Sequence, residues 1–525
     1  MNRFATLAIA LSLAMAVAAP VFPQSLPNLA LANLNYTVRK RTVNPQGELK
    51  EKIDQNDREI AEARRIGRMG DVRRLIAKGQ ALLAGTAWTD ELDFANSITL
   101  RTERVFVDTQ KPYAIRLEQI YSSTLAVDHN LTAHASLLKP RAGGRGGNGG
   151  AGGGGGGRGS RGDVGAAPPE VAKDFGTFED VSRDLRESPY LMELDLASVA
   201  DGAYQIRVEV MDGEKTLGAT TLRIVAVKGL DDSLARIESA AASAPESVRA
   251  DALYPADFVR NVNRGRVDAG AFDVTKEIAN VEDMLASAKS GKDPFAGRTG
   301  DFKRHYMLKA AGEIMPYRLY IPPAYDGTKA YPMVLALHGL GGTEDGMFGP
   351  NYKVIPEAEK RGYIIASPLG YRIDGGYGRA ATKAGALSEA DVMEVLARVR
   401  HDYKIDDNRI YLLGHSMGGF GTWVLGPKYP SIWAAMAPIS GGGQPASLEK
   451  IRDIPEIVVH GDADNVVPVG SSRTMVDAAK KLGIEVKYIE VPGGTHGDVA
   501  APSMSAIFDF FDAHRKGKAA TGGGQ

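Results

Sequence analysis

The 525-residue chain contains no cysteine. That absence removes disulfide staples, thiolate nucleophiles, cysteine-ligated metals and attachment through a lipidated cysteine, so stability comes from burial and any nucleophile is an oxygen or a nitrogen. A surplus of one charge is missing too. With 63 basic against 64 acidic side chains the net charge is −1, without the basic excess that marks binders of nucleic acid or anionic membranes. After the first residues no apolar run approaches the roughly 20 residues that a membrane-spanning helix needs. The nine histidines show no H-E-x-x-H or comparable ligand spacing, so no metal is expected. What remains is ordinary globular material, 43% hydrophobic and 24% charged, enough for about three or four domains.

Residues 1–19, MNRFATLAIALSLAMAVAA, combine an early Arg3, a short apolar stretch and small residues near Ala18, which is the pattern of a secretory signal peptide. The expectation is an exported protein, periplasmic or extracellular, with no integral membrane segment after cleavage. From 45 to 90, charged helix formers carry Ile53, Ile60, Ile66, Val72, Leu75, Ile76 and Leu82 at loosely helical spacing, and Gly67 and Gly70 are expected to break this leader into two helices. Between 94 and 228 the period changes to two. Runs such as YAIRLEQIYSS, GAYQIRVEVMDG and ATTLRIVAV predict a half-buried antiparallel sandwich of immunoglobulin-like type. The tract GGRGGNGGAGGGGGGRGSRGDVG at 143–165 interrupts it; polyglycine loses the most backbone entropy on ordering and buries nothing, so a disordered loop insertion is expected. Residues 230–295 read as a helical connector.

From 300 to 517 the runs MPYRLYIP, PMVLALH, YIIASPL, RIYLLG, AAMAPIS, EIVVHG and VKYIEV alternate with helical segments at about 388–401, after Met417, from Ser471 and at 502–514. This predicts an α/β domain with a largely parallel sheet covered on both faces, whose active site forms beyond the carboxyl ends of the strands. Directly after RIYLLG stands Gly414-His415-Ser416-Met417-Gly418, a G-x-S-x-G turn between strand and helix. A serine hydroxyl is a poor nucleophile until a base takes its proton, and the base needs a carboxylate to orient it. Among the downstream histidines, His514 beside Arg515 and Lys516 reads as solvated, and His460 opens the turn that holds Asp462 and Asp464. His496, in the VPGGTHGD turn between the last strand and the last helix, is taken as the base. Asp464 is preferred over Asp462 and Asp498 as its orienter, which gives the chain order Ser416, Asp464, His496. The amides of Met417 and of Leu340, in HGLGG, are the expected donors to an oxyanion. His338 and His415 read as braces of these turns, Trp423 and Trp433 as core, and Asp391 as charge at a helix N-terminus. Tyr371, Tyr377 and Arg379 in LGYRIDGGYGRA read either as the mouth of a pocket or as a flexible surface loop.

HGLGG, GHSMGG, HGDADNVVP and GGTHGD, in that order and spacing, resemble the α/β-hydrolase superfamily. Within it they are similar to secreted bacterial esterases of the polyhydroxybutyrate-depolymerase, feruloyl-esterase and predicted-peptidase type. The resemblance implies Ser416, Asp464 and His496 as a triad, no cofactor, and cleavage of carboxylic esters through an acyl-enzyme, the substrate being a small-molecule or polymer-linked feruloyl, acetyl or polyester-type ester. The alternative it implies is a serine peptidase of the prolyl oligopeptidase type acting on short peptides, although no repeats of a β-propeller precede the domain. Contact of the sandwich with a polysaccharide or cell wall is a further expectation.

Overall fold

The structure is a computed structural model that describes residues 29–140 and 169–517. The expected signal peptide at 1–19 and the whole of the glycine-rich tract at 143–165 lie outside the described residues. No helix among the described residues is long and apolar enough to cross a membrane.

The apolar runs of the C-terminal half form one eight-stranded sheet in the order Val486–Val491, Glu456–Gly461, Ala435–Ile439, Ile405–His415, Tyr331–Leu337, Ile364–Pro368, Glu313–Ile321, Gly300–Leu308. Neighbours are parallel as far as Ile364–Pro368, and the last two strands close that edge antiparallel. Gly300–Leu308 adds to the expected strands. Its sequence, GDFKRHYML, is charged, and it becomes a strand by pairing residue for residue along Glu313–Ile321. Strand alternation divides the core in two. Met333, Leu335 and Leu337 pack with Leu412, Met436 and Val458 beneath helices Lys383–Asp402 and Met417–Lys428. Val334 and Ala336 join Leu413, Ala437 and Val459 beneath Val354–Arg361 and Ala500–Ala513. A strand covered on both sides must be apolar throughout, which is why Tyr331–Leu337 is buried at every position.

Ahead of this domain, a three-stranded sheet (Ile98–Thr102, Ala114–Gln119, Tyr190–Glu193) faces a five-stranded one (Phe106–Asp108, Lys215–Val227, Gly202–Asp212, Leu131–Leu138, Val171–Val181). Leu100, Ile115 and Met192 of the first meet Ala133, Val208 and Ile224 of the second in a single core. Leu138 pairs with Val171, so the glycine-rich tract is inserted where two antiparallel strands adjoin. An unexpected helix, Leu29–Val43, extends the leader and shares a small core with Gly47–Arg65 and Met69–Leu83. Gly67 stands between the latter two at φ +75°, whereas Gly70 lies inside the second helix and breaks nothing. A Cβ at Gly70 would approach the Ile120 carbonyl oxygen to 2.6 Å, so close packing on the end of strand Ala114–Gln119 accounts for this glycine. Ile66, at the end of its helix, turns outward and is 48% exposed. Helices Leu230–Ala242, Glu246–Asn263 and Val274–Lys289 then lead to the eight-stranded sheet. There the buried Asp251 accepts from the His305 amide at 2.7 Å and pairs with Arg304 at 3.2 Å.

Glu456, the first residue of its strand, is wholly buried; Oε2 accepts from Trp423 Nε1 at 3.3 Å and Oε1 has no partner. Burial pushes this carboxyl up to about 7 from an ordinary 4.5, against the weaker pull of the Trp423 bond. Because the folded-state pKa lies above the unfolded value, the side chain is tolerated below pH 4.5 and destabilises the fold progressively as pH rises through 7. Glu456→Gln should therefore gain on the order of 2–3 kcal/mol over the parent at pH 8 relative to its effect at pH 4.5. Urea unfolding at the two pH values measures this, and an effect independent of pH would contradict it.

Candidate active site

The strand Ile405–His415 turns into the helix Met417–Lys428 at a single residue, Ser416, which adopts φ 56° and ψ −116°. Residues with a Cβ avoid this region, and the strain is held by the packing on either side. A Cβ on Gly414 would lie 2.2 Å from the Gly418 carbonyl oxygen, and one on Gly418 would lie 2.1 Å from that of Leu337. A Cβ on Gly419 would meet the Ile439 carbonyl oxygen at 2.4 Å. Backbone thus packs directly on backbone, and the serine is lifted to the carboxyl end of the sheet.

The Ser416 hydroxyl donates to His496 Nε2 at 2.8 Å, and His496 Nδ1 donates to Asp464 Oδ2 at 2.7 Å. This tautomer follows from Asp464 being an acceptor only. The Asp464 carboxylate is fully buried, while the His496 side chain keeps 17% exposure. Asp464 Oδ1 accepts from the Val466 and Val467 amides at 2.8 Å each, and His460 Nε2 stands 3.3 Å from Oδ2. Burial alone would raise the carboxyl; the bonds from His460, His496 and the Val467 amide outweigh it and hold Asp464 well below the usual carboxylate range. The competing carboxylates are engaged locally: Asp462 accepts from the Gly493 amide, and Asp498 from the amide and hydroxyl of Thr495.

His415 braces the base loop from below. Its Nε2 donates to the His496 carbonyl oxygen at 2.8 Å, which leaves Nδ1 to accept from the Tyr352 hydroxyl at 2.9 Å. Burial, reinforced by the nearby His496 ring, pushes His415 down to about 4, so it is neutral near pH 7. Tyr352 carries no sequence signal for this role; it lies 63 residues away along the chain. On the other side of Ser416 the HGLGG loop comes so close that a Cβ on Gly339 would stand 3.3 Å from Ser416 Cβ. Neither the Leu340 nor the Met417 amide donates to a backbone acceptor among the described residues. His338 is fixed between the carbonyl oxygens of Gly339 and Leu369 at 2.8 Å each.

Several expected placements are corrected. Tyr377 is buried at φ 53°, beneath the HGLGG loop, where its hydroxyl donates to the His338 carbonyl oxygen at 3.1 Å. Asp391 is not at a helix start, because the helix begins at Lys383 with Thr382 as its cap. Asp391 is buried instead, accepting from the Tyr306 hydroxyl at 2.5 Å and the Tyr371 amide at 2.7 Å. His514 is not solvated: its side chain is 11% exposed, bonded to Phe510 O and Glu485. Arg379 lies over the Phe420 ring at 4.3 Å. Trp423 and Trp433, by contrast, are core as expected.

Among the described residues no cluster of three or more histidine or carboxylate side chains has the arrangement of a metal site. A cavity of about 700 Å³, walled by Phe295, Arg304, Tyr306 and Arg398, lies at the far end of the helix Lys383–Asp402, and none of its walls belongs to the Ser416 cluster.

Residues 309–448 match the family model "Esterase"; the span contains Leu340, Ser416 and Met417 and ends before Asp464 and His496. The chain is similar to a bifunctional acetylxylan esterase/xylanase of Neocallimastix patriciarum, 29% identical over 142 residues, which cover 26% of this chain and 20% of that protein. It is also similar to a probable feruloyl esterase C of Aspergillus terreus, 26% identical over 195 residues, covering 36% of this chain and 66% of that protein. Among solved structures, a thermostable esterase aligns at 16% identity with a TM-score of 0.35, over 80% of this chain and 100% of that one. The chain thus spans between 20% and 66% of the length of these curated relatives.

The crowding at the turn is testable without any substrate. Gly418→Ala drives a methyl into the Leu337 carbonyl and should cost about 3 kcal/mol or leave the protein insoluble. Gly497→Ala, where nothing lies within 4 Å, should change stability by less than about 0.5 kcal/mol. Thermal unfolding of both variants measures the contrast, and equal midpoints would refute it.

Proposed function

We propose that the protein is a serine carboxylesterase with Ser416 as nucleophile, His496 as general base and acid, and Asp464 as the orienting carboxylate. The observation that carries this reading is the continuous line of hydrogen bonds from Ser416 Oγ through His496 to Asp464, 2.8 and 2.7 Å long, starting at a strained strand-to-helix turn. The Esterase match over 309–448 and the acetylxylan and feruloyl esterase relatives support an ester as the substrate class, either small or attached to a polymer.

As Ser416 Oγ bonds to the acyl carbon, its proton passes to His496 Nε2, and the ionised Asp464 stabilises the imidazolium. The carbonyl oxygen gains charge against the Leu340 and Met417 amides, at the N-terminal end of the helix that follows Ser416. Collapse breaks the ester C–O bond, and the departing alcohol takes the proton from His496. Water then adds to the acyl-enzyme, giving its proton to His496, which returns it to Ser416 as the carboxylic acid leaves. The two-sheet unit is read as an immunoglobulin-like accessory that contacts the polysaccharide or cell wall bearing the ester, and residues 1–19 as the peptide that exports the enzyme.

Ser416→Ala should fold normally yet lose p-nitrophenyl acetate hydrolysis by roughly 10³-fold or more, together with covalent labelling by a fluorophosphonate. Undiminished turnover in that variant sinks the assignment. Paired with a matched p-nitroanilide, the ester should be the only one turned over at an appreciable rate; comparable anilide cleavage would favour the short-peptide peptidase instead.

A further inference from the structure

The leader helix Leu29–Val43 ends against the turn that carries Asp464. Arg41 Nη1 donates to the carbonyl oxygens of Asn465 at 3.1 Å and Val466 at 2.5 Å, and Asn465 Nδ2 donates to Thr42 Oγ1 at 3.0 Å. These two carbonyls belong to the same peptide groups whose N–H ends, at Val466 and Val467, donate to Asp464 Oδ1 at 2.8 Å each. Each peptide group therefore stands between a cation at its oxygen and a carboxylate at its nitrogen. A donor on the C=O draws electron density from the amide and strengthens its N–H as a donor, so the bonds at the two ends reinforce one another.

The arginine is delivered by a seated element. Tyr36 donates to Asp57 at 2.8 Å and Lys40 pairs with the same carboxylate at 2.5 Å, which holds the helix on the rest of the leader. The leader in turn is tied to the helix Asp90–Ser97 by Arg74, which makes two bonds of 2.8 Å to Asp93. Lys40 thus serves the leader internally, while Arg41 reaches over 424 residues of sequence to the turn.

We propose that Arg41 is a positioning residue: from the leader it fixes the two peptide groups of the Asn465–Val467 turn, so that they hold Asp464 Oδ1 and leave Oδ2 to His496. It touches no reacting atom, and its effect rests on the reading of Ser416, His496 and Asp464 as a triad. The leader is then part of the catalytic apparatus and not a detached arm.

The test uses the full chain and four variants, Ser416→Ala, Arg41→Ala, Arg41→Lys and Arg39→Ala, assayed for p-nitrophenyl acetate turnover, fluorophosphonate labelling rate and unfolding midpoint. Arg41→Ala should lower kcat about three- to tenfold, with KM within about twofold and the labelling rate falling by the same factor as kcat. Its unfolding midpoint should be unchanged. Arg41→Lys, which keeps a cation able to reach one carbonyl, should recover most of the loss, and Arg39→Ala, which removes an exposed cation of the same helix, should match the parent. An unaltered kcat in Arg41→Ala overturns the proposal. So does a loss that Arg41→Lys fails to restore and that comes with a lower unfolding midpoint, since the contact is then merely structural. If Ser416→Ala remains active, the triad reading itself has failed, which is a separate outcome.

Discussion

Everything at the site depends on backbone being allowed to touch backbone around Ser416. The carbonyl oxygens of Leu337, Gly418 and Ile439 occupy the places where side chains of Gly418, Gly414 and Gly419 would begin. Remove that freedom and the helix Met417–Lys428 cannot start directly above the strand Ile405–His415, and Ser416 cannot be held at φ 56°. The strain is local, but the walls that maintain it are the central strands of the eight-stranded sheet, packed on both faces. A rigid sheet therefore sets the position of the hydroxyl, while its partners arrive on loops.

Loops need their own restraints, and here each has one. The His496 loop is tied through its own carbonyl to His415, which Tyr352 holds in the correct tautomer and burial keeps neutral. The Asp464 turn is closed by its own amides, by His460 and, from outside the domain, by Arg41. The HGLGG loop rests on His338 and on the Tyr377 hydroxyl.

Much of this was legible in the sequence because some of it is local. The elbow needs glycines within four residues of one another, and the apolar runs of a sheet buried on both faces are continuous and short. Ser416, Asp464 and His496 each stand just beyond such a run, so strand ends alone narrowed the search. What escaped depends on partners remote in the chain. Gly300–Leu308 is a strand only by virtue of its neighbour, and Asp391 is buried because Tyr306 and Tyr371 supply donors 85 and 20 residues away. Tyr377 in a glycine-rich, polar stretch reads as surface, yet close contact with Gly421 makes room for its ring in the core. The leader's reach to Asn465 had no signature at all, since Arg41 sits among other cations at the end of a helix.

Three buried carboxyls show what separates an ionised orienter from a structural acid. Asp464, Asp391 and Glu456 are all buried, and for each burial alone pushes the carboxyl up. Glu456 has one long bond from Trp423 and rises to about 7. Asp391, with the Tyr306 hydroxyl and the Tyr371 amide around it, rises to about 6 from an ordinary 3.8. Asp464 receives two amides on one oxygen and two imidazoles near the other, and it falls below the ordinary range. Burial is common to all three, so the number and kind of donors decide the charge. An ionised carboxylate with one oxygen saturated by backbone can orient an imidazole through the other without taking its proton. The donors crowded around the Asp464 turn thus keep a charged carboxylate beside His496.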